Sequence, residues 1–81
     1  MQMFKIGDFL GIAKGAGCSR AYVRNLVANK HLGCGREMAK KLVVASFLEG
    51  VITEEIDWMF PDMTGNPAFL HYRQTGGLKT R

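Results

Sequence analysis

The chain has 81 residues, 47% of them apolar and 22% charged, which suits one small core and argues against wholesale disorder. No apolar run approaches the roughly 20 residues that span a bilayer, and Met1-Gln2-Met3-Phe4-Lys5 lacks the apolar stretch of a signal peptide. A soluble, cytoplasmic protein is expected, its stability modest unless it dimerises.

The net charge of +4 is unevenly placed. Lys14, Arg20, Arg24, Lys30, Arg36, Lys40 and Lys41 are opposed in their stretch only by Glu37. Glu49, Glu54, Glu55, Asp57 and Asp62 then follow without any Lys or Arg between them. A basic segment attracts polyanions and releases counterions on binding phosphates. A solvated charged surface accounts for the same charges equally well.

In chain order, Asp8 is a candidate N-cap for a helix over Phe9–Ala16, with Phe4 and Ile6 before it as a short extended arm or single turn. Gly17 ends that helix, because glycine tolerates the left-handed conformation common just past a helix. Cys18 forms the turn. Ser19 caps a second helix over Arg20–Ala28, in which Val23, Leu26 and Val27 make one apolar stripe. Asn29 closes it, and Lys30–Gly35 reads as a loop.

A longer helix is expected over Arg36–Glu49, ended by Gly50. Thr53 then looks like the N-cap of a short helix, with Glu54, Glu55 and Asp57 where the dipole favours negative charge. Pro61 ends it near Phe60, since the residue before proline avoids the helical conformation. Trp58 and Phe60 supply core area or an exposed partner site. Thr64-Gly65-Asn66-Pro67 reads as a turn, Ala68–Arg73 as a strand, and Gly76–Arg81 as a frayed end. A strand carrying Phe69, Leu70 and Tyr72 would pair with its copy in a second subunit. The chain thus divides into a helical domain, residues 1–62, and a tail, residues 63–81, for dimerisation or in part disordered.

Residues 9–28 meet the steric demands of a helix-turn-helix. Ala13 stands where two helices would approach most closely, and Gly17 stands at the turn. Ile12, Ala16, Cys18, Val23 and Leu26 fill the apolar positions around it. Any αα-hairpin would share some of this pattern. The residues of the second helix left over from packing are Arg20, Ala21, Tyr22, Arg24, Asn25 and Ala28, with no acid among them. Arg reads guanine, Asn reads adenine, and Ala contacts a thymine methyl. Ser19, the first amides of the helix, and Lys30 with His31 suit phosphates. The expected DNA-binding residues are therefore Ser19, Arg20, Ala21, Tyr22, Arg24, Asn25 and Lys30.

The stretch Ile12-Ala13-Lys14-Gly15-Ala16-Gly17-Cys18-Ser19-Arg20-Ala21-Tyr22-Val23-Arg24-Asn25-Leu26 resembles the core of the phage Cro and repressor (XRE) type of helix-turn-helix domain. Asn29-Lys30, Met38–Leu42, Ile52–Ile56 and Phe60-Pro61-Asp62 extend the likeness toward small Cro-like regulators of the YdaS group. The resemblance implies an all-α bundle of four or five helices that binds operator DNA in the bacterial cytoplasm, usually as a homodimer, and represses transcription. Gly11 and Gly15 depart from good helix sequence, each costing up to ~1 kcal/mol relative to Ala, and Asn29 replaces the usual glycine.

Catalysis has little support, because His31 has no triad partner and no carboxylates are paired for acid–base work. Cys18 and Cys34 form no C-x-x-C pair and stand at no zinc spacing from His31 or His71, so neither metal nor cofactor is expected. A second class of function remains: a protein-interaction module, such as an antitoxin or a phage-encoded inhibitor of a host protein. Its support is the acidic stretch beside Trp58 and the apolar residues of the tail.

Overall fold

The computed structural model describes residues 4, 7–30 and 33–74. Among the described residues five helices make up an all-α domain: α1 (Asp8–Ala16), α2 (Arg20–Val27), α3 (Arg36–Leu48), α4 (Glu55–Met59) and α5 (Pro67–Gln74), with a 3-10 turn at Pro61–Met63 between the last two. Ile6, His31 and the expected frayed end lie outside the described residues.

α1 packs chiefly on α3 and next on α2. The contact with α3 requires a missing side chain. A Cβ on Gly15 would lie 2.9 Å from the Cβ of Ala45, closer than methyl groups approach, so glycine here allows the two backbones to meet. The glycine that weakens the helix locally is the one that lets it dock. On the α2 side, Ile12, Ala13, Ala16, Val23, Leu26 and Val27 are buried together.

A second cluster is aromatic. Trp58 and Phe69 meet edge to face at 4.9 Å, and Phe4 reaches Phe69 at 5.3 Å and Trp58 at 6.1 Å. Phe9 joins Phe4 at 5.6 Å and Tyr72 at 5.3 Å. Such tilted pairs are favoured by ring quadrupoles. The Trp58 indole N–H, buried here, donates to Thr53 Oγ1 at 2.9 Å. Thr53 pairs with Ser46 Oγ at 2.8 Å, and Ser46 donates to the Val43 carbonyl at 3.0 Å. The chain of hydroxyls therefore satisfies an indole that burial would otherwise penalise.

This use of Thr53 differs from the expected N-cap. The cap is Glu54, whose carboxylate and that of Asp57 form a reciprocal capping box with each other's backbone amides. Similarly, Asp8 is the first residue of α1 and is buried, while Gly7 takes the cap position without a side-chain bond.

The expected strand at Ala68–Arg73 is a helix, and there is no strand among the described residues. The physical reason lies just before it. Asn66 Oδ1 accepts from the Ala68 amide at 2.9 Å, the bond of an N-cap, and Pro67 occupies the first helical position, where its missing N–H costs nothing. Ala68, Phe69 and Tyr72, spaced by one and then three, form a buried helical face. Without a strand, the dimer pairing expected through Phe69–Tyr72 has no structural basis, since Phe69 and Tyr72 are spent on the core.

The two α1 glycines should respond oppositely to substitution. A Cβ on Gly11 meets only the carboxylate end of Glu49, a flexible group able to move. Gly11→Ala is therefore expected to stabilise by up to ~1 kcal/mol through helix propensity. Gly15→Leu is expected to destabilise by ~1–3 kcal/mol or more through overpacking against Ala45. Thermal or urea unfolding of both variants checks the pair of signs; a loss at Gly11 equal to that at Gly15 would contradict this packing.

Candidate nucleic-acid interface

Three residues, Gly17-Cys18-Ser19, join α1 to α2. Gly17 is left-handed, with φ of 77°. Its amide donates to the Ala13 carbonyl at 2.8 Å, and the Cys18 amide shares that acceptor at 3.0 Å. Ala13 thus acts twice, as the small side chain facing α2 and as the acceptor that turns the chain toward it. Ser19 is extended, and its Oγ accepts from the Tyr22 amide at 3.0 Å. This is the cap expected from the sequence. It leaves the Ser19 hydroxyl proton free to donate outward.

The end of α2 is a Schellman turn. Asn29 donates to the Leu26 carbonyl at 3.2 Å and Lys30 to the Asn25 carbonyl at 2.7 Å. Asn29 has φ of 63°. Asparagine is the non-glycine residue best suited to that conformation, which explains its presence where glycine was expected.

Between these two caps, the stripe Val23, Leu26 and Val27 is buried and Arg20, Ala21 and Arg24 are exposed. Ser19 and Lys30 are exposed at the two ends, and Asn25 is half-buried at the edge of the stripe. Six of the seven expected residues therefore lie along one outer side of α2 or at its ends. Tyr22 differs: it is half-buried and packs against the core. Burial pushes its hydroxyl up from the ordinary phenol value, helped by the thiols of Cys34 and Cys18 and by a hydrogen bond with Cys34. Cys34 in turn donates to the Trp58 carbonyl at 3.5 Å. Tyr22 thus links α2 to the loop before α3 and sets how α2 sits. Burial also raises the thiols of Cys18 and Cys34, the opposite of what a reactive cysteine needs.

No carboxylate lies on α2, so the positive charges of Arg20 and Arg24 are not cancelled within their own helix. Burial also raises Tyr72, and the neighbouring Arg24 cation partly opposes the shift. Arg24 therefore stands where α5 meets α2.

One residue that secures this face escaped sequence reasoning. Arg73 donates from Nε to the Val27 carbonyl at 2.8 Å and from Nη2 to the Pro61 carbonyl at 2.8 Å. Its guanidinium also lies 5.9 Å from the Phe69 ring centre. A cation on the last carbonyls of a helix complements the dipole, so Arg73 holds the end of α2 to α5. The Asn66-Pro67 helix start was the available signal; once α5 is a helix, Arg73 falls one position after Tyr72.

Among the described residues no group of three His, Cys, Asp or Glu converges to hold a metal ion, and no helix is long and apolar enough to cross a membrane. Arg73→Ala removes two hydrogen bonds from a charged donor, each worth ~1.5–3 kcal/mol. The expected result is a fall in melting temperature of at least roughly 12 °C, at about 4 °C or more per kcal/mol for a domain of this size, read by circular dichroism; an unchanged melting temperature would show that α2 is held without it. No protein-family model matches the chain, and no curated protein or solved structure matches it either.

Proposed function

We propose that α1, the Gly17 turn and α2 form a DNA-binding helix-turn-helix, with α2 entering the major groove. The observation that carries this reading is the outer face of α2. It presents Arg20, Ala21 and Arg24 to solvent, with Asn25 at its edge and no acid on the helix. The opposite face is fully committed to packing on α1 and the core.

The parts take distinct roles. Arg24 and Asn25 are the base readers, suited to guanine and adenine edges. Arg20 and Ala21 stand near the start of α2, the end that reaches base edges in this docking mode. Ser19 Oγ and Lys30 contact phosphates and set register rather than sequence. Tyr22 holds the helix in place through Cys34. The protein acts as a small transcriptional regulator, a Cro-like repressor of phage or mobile-element type, on operator DNA in the bacterial cytoplasm. Two copies on a two-part operator would double the contacts that one short α2 supplies.

Fluorescence anisotropy with duplexes from the region upstream of its own gene tests this. Arg24→Ala and Asn25→Ala are each expected to cost about 1–3 kcal/mol and to relax base preference. Lys30→Ala is expected to weaken all duplexes alike and to flatten the salt dependence by about one unit of slope. Absence of binding at low salt by the folded wild-type protein overturns the proposal.

A further inference from the structure

A shallow groove lies away from the residues assigned to DNA, between the start of α4 and the turn leading into α5. It encloses about 480 Å³, and Ile52, Ile56, Met63 and Pro67 line it together with Glu54. Ile52, Ile56 and Met63 are 66%, 53% and 75% exposed. Each is a large apolar side chain that folding leaves in water, at a cost of about 1.5–3 kcal/mol relative to full burial.

The floor of the groove is already satisfied. Asp57 accepts from Thr64 Oγ1, from Asn66 Nδ2 at 2.9 Å and from the Glu54 amide at 3.0 Å. Asn66 Nδ2 also donates to the Ile52 carbonyl at 3.1 Å. These bonds fix the walls but offer little to a polar ligand. What remains for recognition is apolar contact and charge.

The charge has one sign. Glu54 and Asp57 are the charged residues in its lining, and no Lys or Arg is among them; Asp62, next to Met63 in the chain, lies by Arg73 instead. Glu55 follows Glu54 and is approached by Arg36 at 3.9 Å, an exposed pair worth little in water. No Lys or Arg occurs anywhere between residues 42 and 72. Two copies meeting through this groove would bring acid against acid, which disfavours a second copy. The same acids disfavour an anionic membrane surface.

We propose that this groove is a docking site for a basic amphipathic segment of another protein. That segment would place an apolar side chain or two among Ile52, Ile56 and Met63, with Lys or Arg beside Glu54. The site is separate from the outer face of α2 and does not depend on the DNA-binding reading.

Two synthetic helical peptides test it by titration into the full chain, followed by amide NMR and anisotropy. Both carry the same leucine stripe; one is flanked by lysines, the other by glutamates. The lysine peptide is expected to bind, to shift the amides of Ile52, Ile56 and Met63, and to weaken at least fivefold on going from low to high salt. The glutamate peptide is expected to bind at least tenfold more weakly. Ile52→Lys and Met63→Lys, both at exposed positions that the fold does not need, are expected to abolish binding of the lysine peptide while leaving the melting temperature unchanged. Equal binding of both peptides, no binding of the lysine peptide, or peptide shifts confined to α2 would each overturn the proposal. So would sedimentation showing a dimer that Ile56→Lys dissociates, since a second copy would then occupy the groove.

Discussion

The close approach of α1 to its two neighbours is the constraint on which the rest of the structure depends. α1 has nine residues and must hold α2 on one side and α3 on another. It does so with small side chains: Ala13 and Ala16 are buried among the residues that face α2, and Gly15 lies against Ala45 of α3. A helix built this way has poor intrinsic propensity and gains its stability from tertiary packing instead. The outer face of α2 is presented to solvent because its inner face has been fixed by α1.

The remaining elements brace this arrangement from behind. The rings of Phe4, Trp58 of α4 and Phe69 of α5 meet one another, and Phe9 with Tyr72 joins α1 to α5. Arg73 ties α5 to the last carbonyl of α2, and Tyr22 ties the first turn of α2 to Cys34. The short α2 is thus secured near both ends. On the proposed function, a helix so held would enter a DNA groove with less ordering cost than a free helix would incur. The charges are unevenly placed: Arg20 and Arg24 lie on α2 and Arg36, Lys40 and Lys41 on α3, while Glu54 and Asp57 line the groove by α4.

The parts of this account that were legible in the sequence are those where local chemistry decides. Gly17 and Ser19 mark the turn because a left-handed residue and an N-cap each need a particular side chain. The Val23, Leu26 and Val27 stripe fixes which side of α2 faces outward. Ala68–Arg73 was not legible as a helix from its apolar residues alone, since Phe69, Leu70 and Tyr72 suit a strand as well; Asn66-Pro67 carried the missing information. Thr53 looks like a cap because its hydroxyl stands before acidic residues, but its partners are Trp58 and Ser46, which tertiary packing brings to it. Arg73 and the acidic groove belong to the same class. Both are made by segments that the fold, and not the local pattern, brings together.

Backbone amide NMR of the intact chain, titrated at low salt with a duplex from upstream of its own gene, tests the central claim most directly. The expected result is a contiguous set of shifts over Ser19–Asn25 and at Lys30, with Ile52, Ile56 and Met63 unmoved. Shifts centred on the α4 groove, or none at α2 under conditions where the protein remains folded, would contradict the account.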